Sequence, residues 1–197
     1  LRRSRGLGDV YKRQLPLLSP MSEIAGQLAF VVGSYYLLKH NMGVGKLLGY
    51  SNDLDPTIVT IVGAGAAGKQ AILKAVANGA HVKIIDLSAQ KLTELESEFG
   101  SSNIEYIKSS PAAILAAVKQ TDLLIGAVYV VGKTAPKVFS VDMIKSMKPG
   151  SVFVDISIDQ GGCSESSKPT THDNPIYVFE DVVHYCVTNM PGSVPVT

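Results

Sequence analysis

Thr57-Ile58-Val59-Thr60-Ile61-Val62-Gly63-Ala64-Gly65-Ala66-Ala67-Gly68 decides the fold of this chain. The first six residues are all β-branched and read as a buried strand. The next six spell G-x-G-x-x-G, and a helix-forming stretch follows. His81-Val82-Lys83-Ile84-Ile85-Asp86 reads as a second strand ending in a carboxylate. Strand, glycine turn, helix, strand, acid is the order that a dinucleotide site requires. The alternative is a structural βα turn that binds nothing, with Asp86 an ordinary strand-end or helix-capping acid.

Each glycine has its own reason. Gly63 permits the tight turn out of the strand. Gly65 lacks a Cβ, so the backbone can approach a diphosphate. Gly68 lets the new helix pack hard against the sheet. The free amides at that helix's N-terminus, with those of Ala66 and Ala67, face the phosphates, and the helix dipole favours their charge. Asp86 can accept hydrogen bonds from both hydroxyls of the adenosine ribose. It would repel a 2′-phosphate, and the sequence from Leu15 onward has no arginine to hold one. The cofactor expected is therefore NAD rather than NADP.

Bulk properties fit this reading. The chain has 197 residues, 46% of them hydrophobic, enough for one good core. No run approaches the ~20 apolar residues that span a bilayer, and no membrane partner is expected. Cys163 and Cys186 form no metal spacing and read as reduced thiols of a cytoplasmic protein. The formal net charge of +1 is an artefact of the head. All four arginines lie in the first 13 residues, and from Leu15 onward 13 lysines stand against 16 acids. The body carries no basic patch for nucleic acid. Residues 1–14 have no hydrophobic period and resemble translated junction sequence, a natural basic arm being the alternative.

Outward from the glycine turn, strand and helix alternate. Ser19-Pro20 reads as N-cap and N1 of a helix. Met21, Ile24, Ala25, Leu28, Val31, Val32 and Tyr35 recur along it at helical spacing, and it ends near His40-Asn41. Gly43 to Pro56 reads as a linker. Ser88 caps a helix through Phe99. Strands are expected over 103–107, 122–127 and 151–156, and helices over 111–119 and 141–147. Such alternation predicts a Rossmann-type, doubly wound parallel α/β sheet. From Thr170 onward the pattern breaks into short polar pieces, which read as something other than a closing unit of that sheet.

In such sheets ligands lie beyond the carboxyl ends of the strands. Asp86, Ala127-Val128 and Ile156-Ser157-Ile158-Asp159 all fall there. Asp159 is the candidate for chemistry: a carboxylate at this rim can orient a nicotinamide ribose, hold a water or move a proton. Its plainer role is to cap the Gln160-Gly161-Gly162 turn. His40, His81, His172 and His184 read as structural or solvated. Lys168 reads either as a surface lysine or as a contact for cofactor phosphates.

Several segments together resemble one family. They are Pro20-Met21-Ser22-Glu23-Ile24-Ala25-Gly26, Gly63 to Gly68, Met147-Lys148-Pro149-Gly150-Ser151, Asp155 to Gly162, Pro169-Thr170-Thr171-His172-Asp173 and Asn189-Met190-Pro191-Gly192. From about Leu15 to Thr197 the chain resembles the alanine dehydrogenase/pyridine nucleotide transhydrogenase family. Its Asp159-Gln160-Gly161-Gly162 run is more like the alanine enzymes. The resemblance implies an oxidoreductase: NAD-dependent, reversible oxidative deamination of L-alanine to pyruvate and ammonia, in a cytoplasmic hexamer or dimer. It implies that Ser22 touches the cofactor from the linking helix and that Lys91 and Ser109 line the adenine side. Val128 and Tyr129 border the cofactor through main-chain groups. Ile156 and Asp159 lie by the nicotinamide ribose, with Asp159 the catalytic aspartate. Lys168 is a basic cofactor contact, and Val187, Asn189 and Met190 close over the nicotinamide.

The family's substrate-holding arginine and lysine and its partner histidine belong to an amino-terminal catalytic domain that is not in this sequence. The expectation is thus a fragment that binds NAD and turns over nothing alone. It divides into a non-native extension (1–14), a linking helix and linker (15–50), an NAD domain (51–172) and a return segment into an incomplete catalytic domain (173–197). The apolar face Ile24, Leu28, Val31 and Val32, with Val182, Val183 and Val187, is expected to be left exposed without that domain. The alternatives are the NAD-binding subunit of a proton-translocating transhydrogenase, a non-catalytic NAD-binding module, and an opine- or lysine-forming relative.

Overall fold

A computed structural model describes residues 18–49, 56–130 and 132–197. The reading of residues 1–14 as foreign, and much of the linker, lie outside the described residues. One sheet organises the rest. Its strands are β1 (Ile58–Val62), β2 (His81–Asp86), β3 (Ile104–Lys108), β4 (Leu123–Gly126), β5 (Val152–Asp155), β6 (Ile176–Phe179) and β7 (Val182–Tyr185). Their order is β3-β2-β1-β4-β5-β7-β6. All neighbours are parallel except the β6–β7 pair at the edge.

The helices are α1 (Leu18–Tyr36), α2 (Ala66–Ala77), α3 (Ala89–Phe99), α4 (Pro111–Val118) and α5 (Val141–Lys145). Helices α1, α2 and α3 cover one face of the sheet, burying Phe30, Leu37, Ile72 and Leu92 against Val59, Ile61, Ile84, Ile125 and Val154. On the other face α4, α5 and Phe139 cover Val62, Ile85, Leu124 and Phe153. With both faces buried, the central strands are apolar at nearly every position instead of alternating. The doubly wound α/β fold expected from the sequence is the fold observed.

Serine hydroxyls cap three of the helices: Ser88 accepts from the Lys91 amide, Ser110 from Ala113 and Ser140 from Met143. The expected cap at Ser19 is different. Helix α1 already includes Leu18, so Ser19 lies inside it and donates its hydroxyl to Glu23 at 3.1 Å. The helix stops at Tyr36, short of His40, and a 3-10 turn over Lys39–Asn41 follows.

The buried face of α1 corrects the sequence reading. Ala25, Gly26, Ala29, Phe30 and Gly33 face inward, while Met21, Val31 and Tyr35 are 41%, 53% and 51% exposed. Leu28 and Val32 of the expected face do pack against the core, while at the closest approaches the helix carries glycine. A Cβ on Gly26 would lie 2.0 Å from the Ala67 carbonyl oxygen, and one on Gly33 would lie 2.4 Å from Leu123 Cδ1. Gln27 Nε2 then reaches Gln70 Oε1 at 3.0 Å, fastening α1 to α2.

The tail is the second correction. Residues beyond Thr170 do close the sheet: β7 inserts beside β5, and β6 folds back on β7. Val182, Val183 and Val187 are fully buried there, not exposed. The hairpin escaped the sequence because each strand has four residues, and its turn is Glu180-Asp181, both at positive φ (50° and 59°). That backbone is ordinarily announced by Asn-Gly or Asp-Gly.

His184 in β7 is fully buried, so its imidazole matters to stability. It stacks on Tyr177 with centroids 4.9 Å apart. Nδ1 lies 3.0 Å from the Val182 carbonyl, which makes it the protonated nitrogen, and Nε2 accepts from the Ser166 hydroxyl at 2.9 Å. Burial lowers its pKa from 6.5 to about 4, against the pull of the Val182 carbonyl. The unfolded chain therefore takes up the proton first as pH falls. Stability present above pH 6.5 declines towards pH 4, by about 3 kcal/mol from this group. Urea midpoints across that range should fall in the parent chain. In His184→Gln, which keeps one donor and one acceptor, this part of the slope should vanish. An unchanged slope would assign the acid sensitivity elsewhere.

Candidate coenzyme crevice

The crossing from β1 into α2 builds one wall. Gly63 has φ +97°, and a Cβ there would lie 2.4 Å from the Ala127 carbonyl oxygen. A Cβ on Gly68 would lie 1.8 Å from the Gly63 oxygen, so the helix sits directly on the turn. At Gly65 a Cβ would meet nothing within 4 Å. This is open space over the N-terminus of a 12-residue helix whose N-cap, Gly65, offers no side chain. The first-turn amides, Ala66 and Ala67 among them, have no carbonyl partner within the helix and point into that space.

Asp86 is already held in position. Its Oδ2 accepts from the Ala64 amide at 2.7 Å and its Oδ1 from the Ser88 amide at 2.8 Å. Lys91 Nζ stands 3.8 Å from Oδ2. A carboxylate has about four lone-pair positions, so capacity remains for ribose hydroxyls. The Ser109 amide donates to the Asp86 carbonyl at 2.9 Å, bringing the ends of β2 and β3 together. Ala64, Gly65, Ala66 and Lys91 line a cleft of ≈ 370 Å³ with Glu23 of α1. Ser22 neighbours Glu23 and lies one turn before Gly26, on the α1 face that meets α2.

The other wall is formed by the ends of β4 and β5. Val128 accepts from the Ser157 hydroxyl at 2.7 Å, and Tyr129 is exposed. A 3-10 turn over Ile156–Gln160 follows β5, with Ile156 half-buried and Asp159 exposed. The Asp159 carboxylate accepts from the Asn189 amide at 3.1 and 3.3 Å through its two oxygens. His172 Nε2 lies 3.3 Å from the Asn189 carbonyl. Thr170 and Val187 form a parallel bridge, so the tail returns to the same place. The side chains of Val187 and Met190 are buried in the core, and what these residues offer a ligand is main chain.

The glycine turn, Asp86, Lys91 and Ser109 thus gather on one side, and Val128, Ile156, Asp159 and Asn189 on the other. Lys168 stands apart. It is exposed, with its ammonium 5.9 Å from the centroid of Tyr177 on the outermost strand. Among the described residues it makes no hydrogen bond to another candidate.

Sequence reading missed the residues that support this wall. Asp155 is wholly buried and accepts from the Ser157 amide (2.9 Å), the Cys163 amide (2.9 Å) and thiol (3.2 Å), and the Ser167 hydroxyl (2.5 Å). Burial raises its pKa, against the pull of those donors, and drives the Cys163 thiol well above its ordinary value. Lys137 Nζ donates to the carbonyls of Gly161 and Gly162. An acid two residues before a serine at a strand end was the available signal for an Asx turn. Asp122, also missed, is buried at the opposite end of the sheet. It accepts from the Ile58 amide and pairs with Lys148 and Lys46 at 3.0 and 3.4 Å.

Comparison with known proteins places this architecture. The profile of the family described as alanine dehydrogenase/PNT, C-terminal domain matches residues 29–197. The chain is 49% identical over 183 residues to an alanine dehydrogenase of Mycolicibacterium smegmatis, covering 93% of this chain and 49% of that protein. A solved L-alanine dehydrogenase superposes with TM-score 0.89 at 45% identity, over 94% of this chain and 51% of the other. A transhydrogenase from Sinorhizobium meliloti shares the fold, with TM-score 0.71 at 24% identity, over 90% of this chain and 50% of the other. The chain spans about half the length of these relatives.

The residues present fit NAD: open space above an uncapped helix end for the diphosphate, and a fixed carboxylate one strand away for the ribose. In Gly65→Val the Cβ would enter that space without meeting a protein atom within 4 Å. NADH affinity, read by fluorescence titration, should fall at least about a hundredfold if the diphosphate is excluded. The unfolding free energy from urea titration should stay within about 0.5 kcal/mol of the parent. Unchanged affinity would place the coenzyme elsewhere.

Proposed function

The chain belongs to the alanine dehydrogenase/PNT C-terminal domain family, and from that premise we propose that it forms the NAD-binding part of an enzyme that converts L-alanine to pyruvate and ammonia, reversibly. The observation that carries this reading is the placement of two carboxylates, one ending β2 and one in the turn that follows β5. Asp86 and Asp159 stand on either side of the glycine turn, as a dinucleotide laid across the crevice requires.

When bound, NAD supplies the hydride acceptor. The residues of this chain bind and orient it. The amides of Ala66 and Ala67 hold the diphosphate beside Gly63, Gly65 and Gly68. Asp86 holds the adenosine ribose, Lys91 and Ser109 line the adenine side, and Ser22 approaches from α1. The main chain of Val128 and Tyr129 would border the nicotinamide half, with Ile156 beside its ribose. Val187, Asn189 and Met190 close over it through their main chain. Lys168 is assigned to the cofactor by the family resemblance, its ammonium resting over Tyr177. Asp159, exposed and held by one amide, orients the nicotinamide ribose and manages the proton released with the amine.

The reading extends to the whole protein as a cytoplasmic homo-oligomer, hexamer or dimer, acting on a small-molecule substrate. Among the described residues no helix is long and apolar enough to cross a membrane. From Leu15 onward no guanidinium fork is available for a substrate carboxylate.

A chain extended to the length of its relatives should form NADH in the presence of L-alanine. Asp159→Asn should lower kcat by about 10²-fold or more, well beyond any loss of NADH affinity. Absence of alanine-dependent NADH formation would overturn the reading. Reduction of an NAD analogue by NADPH in its place would favour the transhydrogenase alternative.

A further inference from the structure

Asp155 has no part in the chemistry described above, yet it is the most heavily hydrogen-bonded carboxylate of the crevice. It is the last residue of β5, paired in register with Gly126 of β4. A buried carboxylate is costly unless donors surround it. Here four donors do, and all come from the segment that leaves β5: the Ser157 amide, the Cys163 amide and thiol, and the Ser167 hydroxyl. With its oxygens so occupied and no exposed surface, Asp155 does not face a ligand.

The loop packs closely around it at two glycines. A Cβ on Gly162 (φ +76°) would lie 2.6 Å from Ser167 Cβ and 2.9 Å from Asp155 Oδ2. A Cβ on Gly126 would lie 2.3 Å from Cys163 Sγ, so the thiol fills the place of a side chain on β4. Ser157 serves twice: its amide binds Asp155 and its hydroxyl binds the Val128 carbonyl. One buried carboxylate thereby ties both ends of the loop 156–163 to β5, and through Ser157 to the end of β4. Asp159 lies in the middle of that loop and in turn holds Asn189.

We propose that Asp155 is a positioning residue for the nicotinamide end of the coenzyme: by gathering Ser157, Cys163 and Ser167 it fixes where Asp159 and Asn189 stand. This rests on the coenzyme reading above. Asp155 leaves the adenosine half alone, because Asp86 and the glycine turn are held by β1, β2 and α2 without it. Its replacement therefore separates the two halves of the ligand, which a general loss of stability does not do.

The test compares NADH with ADP-ribose, which lacks the nicotinamide, by calorimetry on this chain, with amide hydrogen exchange over 156–163. The parent should bind NADH more tightly than ADP-ribose. In Asp155→Asn an amide group confronts donors. ADP-ribose affinity should stay within about threefold while the NADH advantage falls about tenfold, the worth of hydrogen bonds to a charged group. Exchange should quicken at 156–163 and at Asn189 while β1 and β2 stay protected. Ser167→Ala, which removes one donor and keeps the carboxylate, should shift both readouts the same way by about threefold, and it carries the test if Asp155→Asn does not fold.

Parent-like ligand preference with a parent-like loop in the folded variant overturns the proposal. So does equal weakening of both ligands with protection lost throughout, and so does a parent that binds ADP-ribose but gains nothing from the nicotinamide. A parent that binds neither ligand defeats the coenzyme reading, and the positioning role falls with it; a parent that binds both, with the variant parent-like in preference and exchange, overturns the positioning role alone.

Discussion

The turn between β1 and α2 is crowded on one side and open on the other, and the rest of the molecule is arranged around that asymmetry. On the inner side Gly63 meets Ala127 and Gly68 meets Gly63, with no room for a Cβ at either. On the outer side Gly65 faces open space. The crowding presses the helix onto the sheet, and so aims its first amides past the end of β1 at one spot. Because β1 is flanked by β2 and β4, that spot lies between Asp86 on one side and the Val128 and Asp159 wall on the other. Helix α1 follows from the same requirement. It meets the first turn of α2 at Gly26, so its inner face must be small.

The two acids that follow β5 show how burial divides roles between like residues. Asp155 and Asp159 are four apart. The first is enclosed by donors and the second is exposed with one backbone partner. An enclosed carboxylate is fixed and inert towards a ligand, and the surroundings it fixes become rigid. An exposed one keeps lone pairs for hydroxyls and protons. The tail adds the last part of the wall. Pairing of β7 with β5 brings Asn189 back to Asp159 across thirty residues of sequence.

Much of this was legible in the sequence, for identifiable reasons. The first five strands and their helices were legible because short apolar runs such as Ile58–Val62 and Leu123–Gly126 alternate with helical stretches opened by the glycine turn or by serines such as Ser88. Asp86 and Asp159 were legible because the parallel-sheet rule puts strand ends at the crevice. The hairpin of β6 and β7 was not, because Glu180-Asp181 makes a left-handed turn without glycine. The inner face of α1 was misread because periodicity weighs hydrophobic size, whereas Gly26 and Gly33 are selected by distance. Asp155 was passed over because burial of an acid is a property of its surroundings, and those come from residues 157, 163 and 167. Val187 and Met190 were assigned to the cofactor by resemblance, and their side chains proved to be core.

The most direct measurement of the central claim is the amide spectrum of the labelled chain during titration with NADH. If the open end of α2 holds the diphosphate, the largest shift changes fall at Gly65, Ala66 and Ala67, followed by Ala64, whose amide shares the Asp86 carboxylate with the ribose hydroxyls. Shifts centred on the second cleft, at the amino ends of the strands around His81, Lys83 and Gln120, with Gly65 to Ala67 unmoved, would contradict it.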